Sequence, residues 1–209
     1  YGLNQEQICS ALFPIGDLEK PSVRDRAEKL GFDIFDKKDS TGICFIGERD
    51  FKEFLQQYIP AQPGIIVTSS GSKVGDHEGL MYYTLGQRKG LGIGGGYGDG
   101  KGAWYVLEKD LENNELIVGQ GHDHDGLYQK CLTASDLHWI SGEAPNSENL
   151  KAKIRYRAQD ATCRITELNN TDISVEFEEP RFAIAPGQSV VFYSENICLG
   201  GAIIDKAFN

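Results

Sequence analysis

Long apolar runs are missing from this sequence: nowhere does it approach the roughly 18 consecutive apolar residues that a helical membrane span needs. Its first residues, YGLNQEQICS, lack a basic stretch followed by an apolar one, so they do not read as a secretory signal. Paired cysteines are missing as well. Cys9, Cys44, Cys131, Cys163 and Cys198 are odd in number and widely spaced, without a CxxC pair, which excludes the disulfide framework of a small secreted domain. They read as reduced thiols, and a cytoplasmic protein is the expectation. Internal repeats and low-complexity segments are also absent.

Positive charge is scarce. A formal net charge of -10 argues against a general nucleic-acid binder, because neutralising phosphates requires Lys and Arg gathered on one surface. A polyanion nevertheless responds to the local field, and the cations do cluster, in Lys37-Lys38, Arg88-Lys89 and the run Lys151, Lys153, Arg155, Arg157. With 209 residues, 40% apolar and 25% charged, the chain has room for one or two compact domains.

The opening is helical. NQEQICSAL suits a short helix, and Pro21 suits the first turn of a second, in which Val23, Ala27 and Leu30 recur at helical spacing before Gly31 stops it. A third helix is expected from Asp50, where an acidic cap and Glu53 precede the apolar face of Phe51, Phe54, Leu55 and Tyr58. From Gly64 the period changes to strands. GIIVTSSGSKVGDHEG reads as a hairpin, LMYYTLGQRKGLGIGGG as a strand entering a glycine-rich stretch, and WYVLEKDLENNELIVGQG as two strands joined at Asn113-Asn114. After a composition break at GHDHDG, short strands recur at sandwich or barrel spacing: LTASDLHW, LKAKIRYR, ATCRITEL, DISVEFEE, QSVVFY and ICLGGAIID. Alternation in LKAKIRYR predicts a stripe of Lys151, Lys153, Arg155 and Arg157 on one face, with Ala152, Ile154 and Tyr156 on the other.

Cys44 lies between a Ser-Thr-Gly turn and the acid-capped helix, and two readings are open. It is a small buried hydrophobe beside Ile43 and Phe45, or a thiol activated by positive charge from Lys37, Lys38 and Arg49. Two other motifs carry little chemistry. GLGIGGGYGDGKG lacks the strand, helix and downstream acid of a dinucleotide site, and reads as a flexible hairpin tip. His122 and His124 with Asp123 and Asp125 resemble a metal cluster but have no distant partner, and read as a solvated turn.

The strings KKDSTGICFIGERDFKEFL, YIPAQPGIIV, GLMYYTLGQRKGLGIGG, WYVLEKDLENN, KIRYR, PGQSVVFY and ICLGGAII resemble, in order and along the whole chain, the tRNA-specific 2-thiouridylase family (MnmA/TrmU type). The resemblance implies an α+β fold. Residues 1–49 would be the helical tail of an ATP-pyrophosphatase (PP-loop) domain carrying the persulfide cysteine, 50–125 a small central β-rich domain, and 126–209 an antiparallel β-barrel that holds tRNA. Cys44 would be the catalytic residue, receiving sulfur as a persulfide from a sulfur-relay protein and passing it to carbon 2 of the wobble uridine, after ATP with magnesium has activated that base. Arg155, Tyr156 and Gln188 would contact tRNA in its anticodon region, with Arg88 and Lys89 as weaker candidates. For these three, an exposed strand charge, a barrel-core aromatic and a turn residue are the competing readings.

The sequence departs from the family in lacking the SGGxDS phosphate loop, the acidic base and the second catalytic cysteine. The expectation is therefore a piece of a longer enzyme, inactive alone and binding no cofactor itself. No loop suits an adenosylmethionine donor, so the family's older methyltransferase description gains no support. A non-catalytic RNA-binding barrel and a plain sulfur carrier are the rival readings.

Overall fold

The computed structural model describes residues 1–38, 57–94, 102–146, 150–156 and 158–209. They divide into two compact units, one of residues 6–60 and one of residues 1–5 with 61–209. Helices α1 (Gln5–Cys9) and α2 (Lys20–Lys29) occupy the start of the chain. Pro21 lies in the first turn of α2, where a missing N–H costs no hydrogen bond. Gly31, at φ 73°, ends the helix, and the N–H groups of Gly31 and Phe32 return to the carbonyls of Glu28 and Ala27. Neither helix buries a residue, and Leu12, Phe13, Ile15, Leu30, Phe32 and Ile34 are exposed. Cys44 and the helix expected from Asp50 lie outside the described residues.

The larger unit begins with a four-stranded mixed sheet of β1 (Gly64–Thr68), β2 (Lys73–His77), β3 (Trp104–Asp110) and β4 (Glu115–Gln120), in the order β2-β1-β4-β3. Both hairpins predicted from alternation form, and β1 joins them by running parallel to β4. Asn114 turns the second hairpin at φ 56°, a conformation asparagine tolerates. Ile66, Val106, Leu116 and Val118 are completely buried, with Leu80, Tyr83 and Leu91 packed on them. LMYY, expected as a strand, is instead a 3-10 turn over Leu80–Tyr82. Gly79 at φ 152° breaks the extended path before it, so Leu80 and Tyr83 reach the core without ladder partners.

Six strands then close into an antiparallel barrel: β5 (Tyr128–Trp139), β6 (Lys151–Lys153), β7 (Ala161–Leu168), β8 (Ile173–Phe182), β9 (Ser189–Ser194) and β10 (Ile197–Phe208), ordered β10-β5-β8-β7-β6-β9. Alternate residues fill it, among them Leu132, Ala134, Val175, Phe177, Val190, Phe192 and Ile204. Register shifts in β5, β8 and β10 supply the local bends that closing so small a barrel requires. Few helices, one mixed sheet and one closed barrel make the fold α+β, as expected.

The predicted basic stripe stops early. β6 ends at Lys153, so the period of two no longer governs the residues that follow. Arg155 turns inward to backbone carbonyls. Tyr156, expected on the apolar face with Ala152 and Ile154, is 93% exposed. Arg157 lies outside the described residues.

Candidate nucleic-acid interface

Two Gly-Gln turns, one on the small sheet and one on the barrel, flank a cleft between them. In the first, the Gly86 N–H donates to the Val106 carbonyl at 2.8 Å and the Val106 N–H to the Gln87 carbonyl at 3.0 Å. In the second, the Gly187 N–H donates to the Ile204 carbonyl and the Ile204 N–H to the Gln188 carbonyl, both at 2.8 Å. Each turn thus brackets one strand residue, with glycine at positive φ (76° and 79°). The two glutamine side chains differ. The Gln87 amide is spent locally, accepting from the Thr84 N–H and donating to the Lys89 carbonyl. The Gln188 amide is exposed and has no partner among the described residues.

The cleft has a volume of about 870 Å³ and is lined by Thr84, Leu85, Glu108 and Lys109 on the sheet side and by Ile184, Ala185, Gln188 and Lys206 on the barrel side. Arg155 ties its walls together from behind. Its Nη2 donates to the Leu85 carbonyl at 3.1 Å and to the Ala183 carbonyl at 3.0 Å. Partial burial with no compensating charge pushes the Lys109 amine below its ordinary value. His124 also lines the cleft, but its Nδ1 accepts from the Gly126 N–H and is committed to that turn. Cations and an amide, with no nucleophile and base paired among them, suit holding a ligand rather than reacting with it.

GHDHDG is a largely exposed turn, in which His122 nonetheless has defined partners. His122 stacks on Phe182 with ring centroids 4.7 Å apart, hydrogen-bonds the Tyr128 hydroxyl through Nδ1 at 3.1 Å, and meets Tyr105 edge-on. Sequence reading missed this because Phe182 is distant along the chain. No group of three or more His, Cys, Asp or Glu suited to a metal ion occurs among the described residues.

Of the residues singled out from sequence, Gln188 lines the cleft, Arg155 holds its walls, and Tyr156 projects into solvent. Arg88 and Lys89 are present at the turn that follows Gln87, and Cys44 is outside the described residues. Of the described cysteines, Cys131, Cys163 and Cys198 are free thiols and Cys9 is exposed. Lys109 and Lys206 were not anticipated. Each sits beside an acid in the sequence, which makes it look like half of an ordinary charged surface pair.

Three family models match in succession: a tRNA methyl transferase HUP domain at residues 1–48, a tRNA methyl transferase PRC-barrel domain at 52–120, and an aminomethyltransferase beta-barrel domain at 129–204. The class these matches define is one in which a small PRC-barrel domain and a β-barrel follow a HUP domain. The chain is 56% identical over 207 residues to the tRNA-specific 2-thiouridylase MnmA of Idiomarina loihiensis, covering 99% of this chain and 56% of the relative. It is 57% identical over 210 residues to that of Hydrogenovibrio crunogenus, with coverages of 100% and 55%, and 55% identical over 208 residues to that of Salmonella typhimurium, with coverages of 99% and 56%. The chain belongs to the tRNA-specific 2-thiouridylase family. It spans about half the length of these curated relatives.

Proposed function

We propose that this chain is the sulfur-transferring and tRNA-holding part of an ATP-dependent tRNA-uridine 2-sulfurtransferase. The observation that carries the reading is identity of 55–57% across nearly the whole chain to proteins named for tRNA 2-thiolation. The cleft beside Gln188 supports it from the physical side, since a free amide and unpaired lysines suit a sugar-phosphate ligand.

In this reading Cys44 accepts sulfur as a persulfide from a relay protein. A persulfide is ionised near neutral pH, and its terminal sulfur attacks carbon 2 of the wobble uridine as the activated oxygen leaves. A second thiol, supplied from outside this sequence, then attacks Cys44 Sγ, so that the S–S bond breaks, a protein disulfide forms and the sulfur stays on the base. The barrel and small sheet hold the tRNA through Gln188 and Tyr156, while Arg155 keeps the cleft walls in register. ATP with magnesium would activate the uridine oxygen as a leaving group; the SGGxDS loop that would cradle its phosphates does not occur in this sequence.

The test is made in the protein that carries this chain and its ATP-binding part. Cys44→Ser should abolish 2-thiouridine formation, read by mass spectrometry of digested tRNA, with tRNA affinity nearly unchanged. Thiouridine formed at the normal rate by that variant would overturn the assignment.

A further inference from the structure

The acids next to Lys109 and Lys206 in sequence are committed elsewhere. The Asp110 carboxylate caps the following turn, accepting from the N–H groups of Glu112 and Asn113 and from the Asn113 amide. The Asp205 carboxylate accepts from the Ser135 hydroxyl at 2.8 Å. Glu108 also lines the cleft, yet neither lysine has an ion-pair partner among the described residues. Lys73, Lys130, Arg164 and Lys151 are ion-paired, to Asp76, Glu176, Glu176 and Asp160. Arg155 is spent on backbone carbonyls and Lys153 lies over the Tyr193 ring, so what sets Lys109 and Lys206 apart is that both line one concavity. In a chain of net charge -10, two lysines left unpaired in one concavity mark a place where an anion completes the electrostatics. The free Gln188 amide lies in that same concavity.

We propose that Lys109 and Lys206 form a backbone-phosphate site for RNA, in which Gln188 adds a hydrogen bond to an adjoining sugar or base edge. This deepens the tRNA-holding role proposed above and rests on it. The lysines act as point charges, so they set affinity and register on the RNA without reading sequence. Lys109 is half-desolvated before any ligand arrives, so part of the cost of dehydrating its amine is met in folding, and a phosphate gains more from it than from a fully hydrated lysine.

The test titrates the 209-residue chain with unmodified tRNA over a range of salt concentrations. Lys109→Gln and Lys206→Gln should each weaken binding by about five-fold near physiological salt and lower the slope of log affinity against log salt by about one. Lys73→Gln, which removes a paired lysine elsewhere on the unit, should leave both unchanged, and Lys109→Arg should restore binding. Unfolding midpoints that match wild type separate these effects from misfolding. Wild-type affinity and slope in both glutamine variants would overturn the phosphate site while leaving the thiolation reading to its own Cys44 test. Equal losses in all three glutamine variants would reduce the effect to net charge and also overturn it. Inorganic phosphate that fails to compete at moderate concentration supports an RNA backbone as the source. Saturation of the cleft by phosphate alone, with RNA bound undisturbed, would overturn it.

Discussion

Gly86 and Ala183 meet where the small sheet touches the barrel: a Cβ on Gly86 would lie 2.6 Å from that of Ala183. Gly86 also holds φ at 76°, so an L residue there is opposed by both crowding and backbone conformation. Gly86→Ala should cost about 1–3 kcal/mol in urea denaturation. Gly71→Ala has open space around it but φ at 83°, and should cost only the backbone part, about 1 kcal/mol. Equal losses would mean that the close approach to the barrel is not felt.

Arg155 and Tyr156 are neighbours with opposite tasks. Arg155→Ala strands the part-buried carbonyls of Leu85 and Ala183 and should destabilise the chain by about 1–3 kcal/mol. Tyr156→Ala, at a residue 93% exposed, should stay within about 0.5 kcal/mol of wild type yet weaken tRNA binding. Thermal unfolding and tRNA titration of both variants check the division. An Arg155→Ala chain of full stability and poor RNA affinity would make Arg155 a direct contact instead of a tie.

Burial pushes the Cys163 thiol up to about 12, whereas Cys9 is exposed. Alkylation under mildly basic native conditions should therefore modify Cys9 well before Cys163, and Cys44 fastest of all if it is the persulfide carrier. Because folding raises the Cys163 value, the unfolded chain loses this proton first. The contribution is fully present below the ordinary thiol range and is lost as pH rises towards about 12. Cys163→Ala should flatten that alkaline decline, read as unfolding free energy against pH.

Glu176 behaves in the opposite sense. Hydrogen bonds from Arg164 and Lys130 hold its carboxyl below the usual range. Its stabilising effect is present at neutral pH and is lost as pH falls below the ordinary glutamate value through the depressed one. Glu176→Gln should flatten the acid limb slightly, and added salt should shrink the difference, since its partners Arg164 and Lys130 are exposed to solvent.

Local patterns in the sequence determined the two hairpins, the ends of α2 at Pro21 and Gly31, the strands of the barrel, and the family to which the motifs point. Alternation and helical spacing relate residues two to four apart, so they place such features without knowledge of the rest of the chain. What β6 does after Lys153 was beyond that reach. The ladder ends there, and the carbonyls of Leu85 and Ala183, far away in sequence, decide where Arg155 points. The cleft was likewise a tertiary outcome, because Lys109 comes from the β3–β4 hairpin of the sheet, and Gln188 and Lys206 from the β9–β10 hairpin of the barrel. Whether a lysine beside an aspartate is paired or free depends on where each side chain is turned, and only the folded chain fixes that.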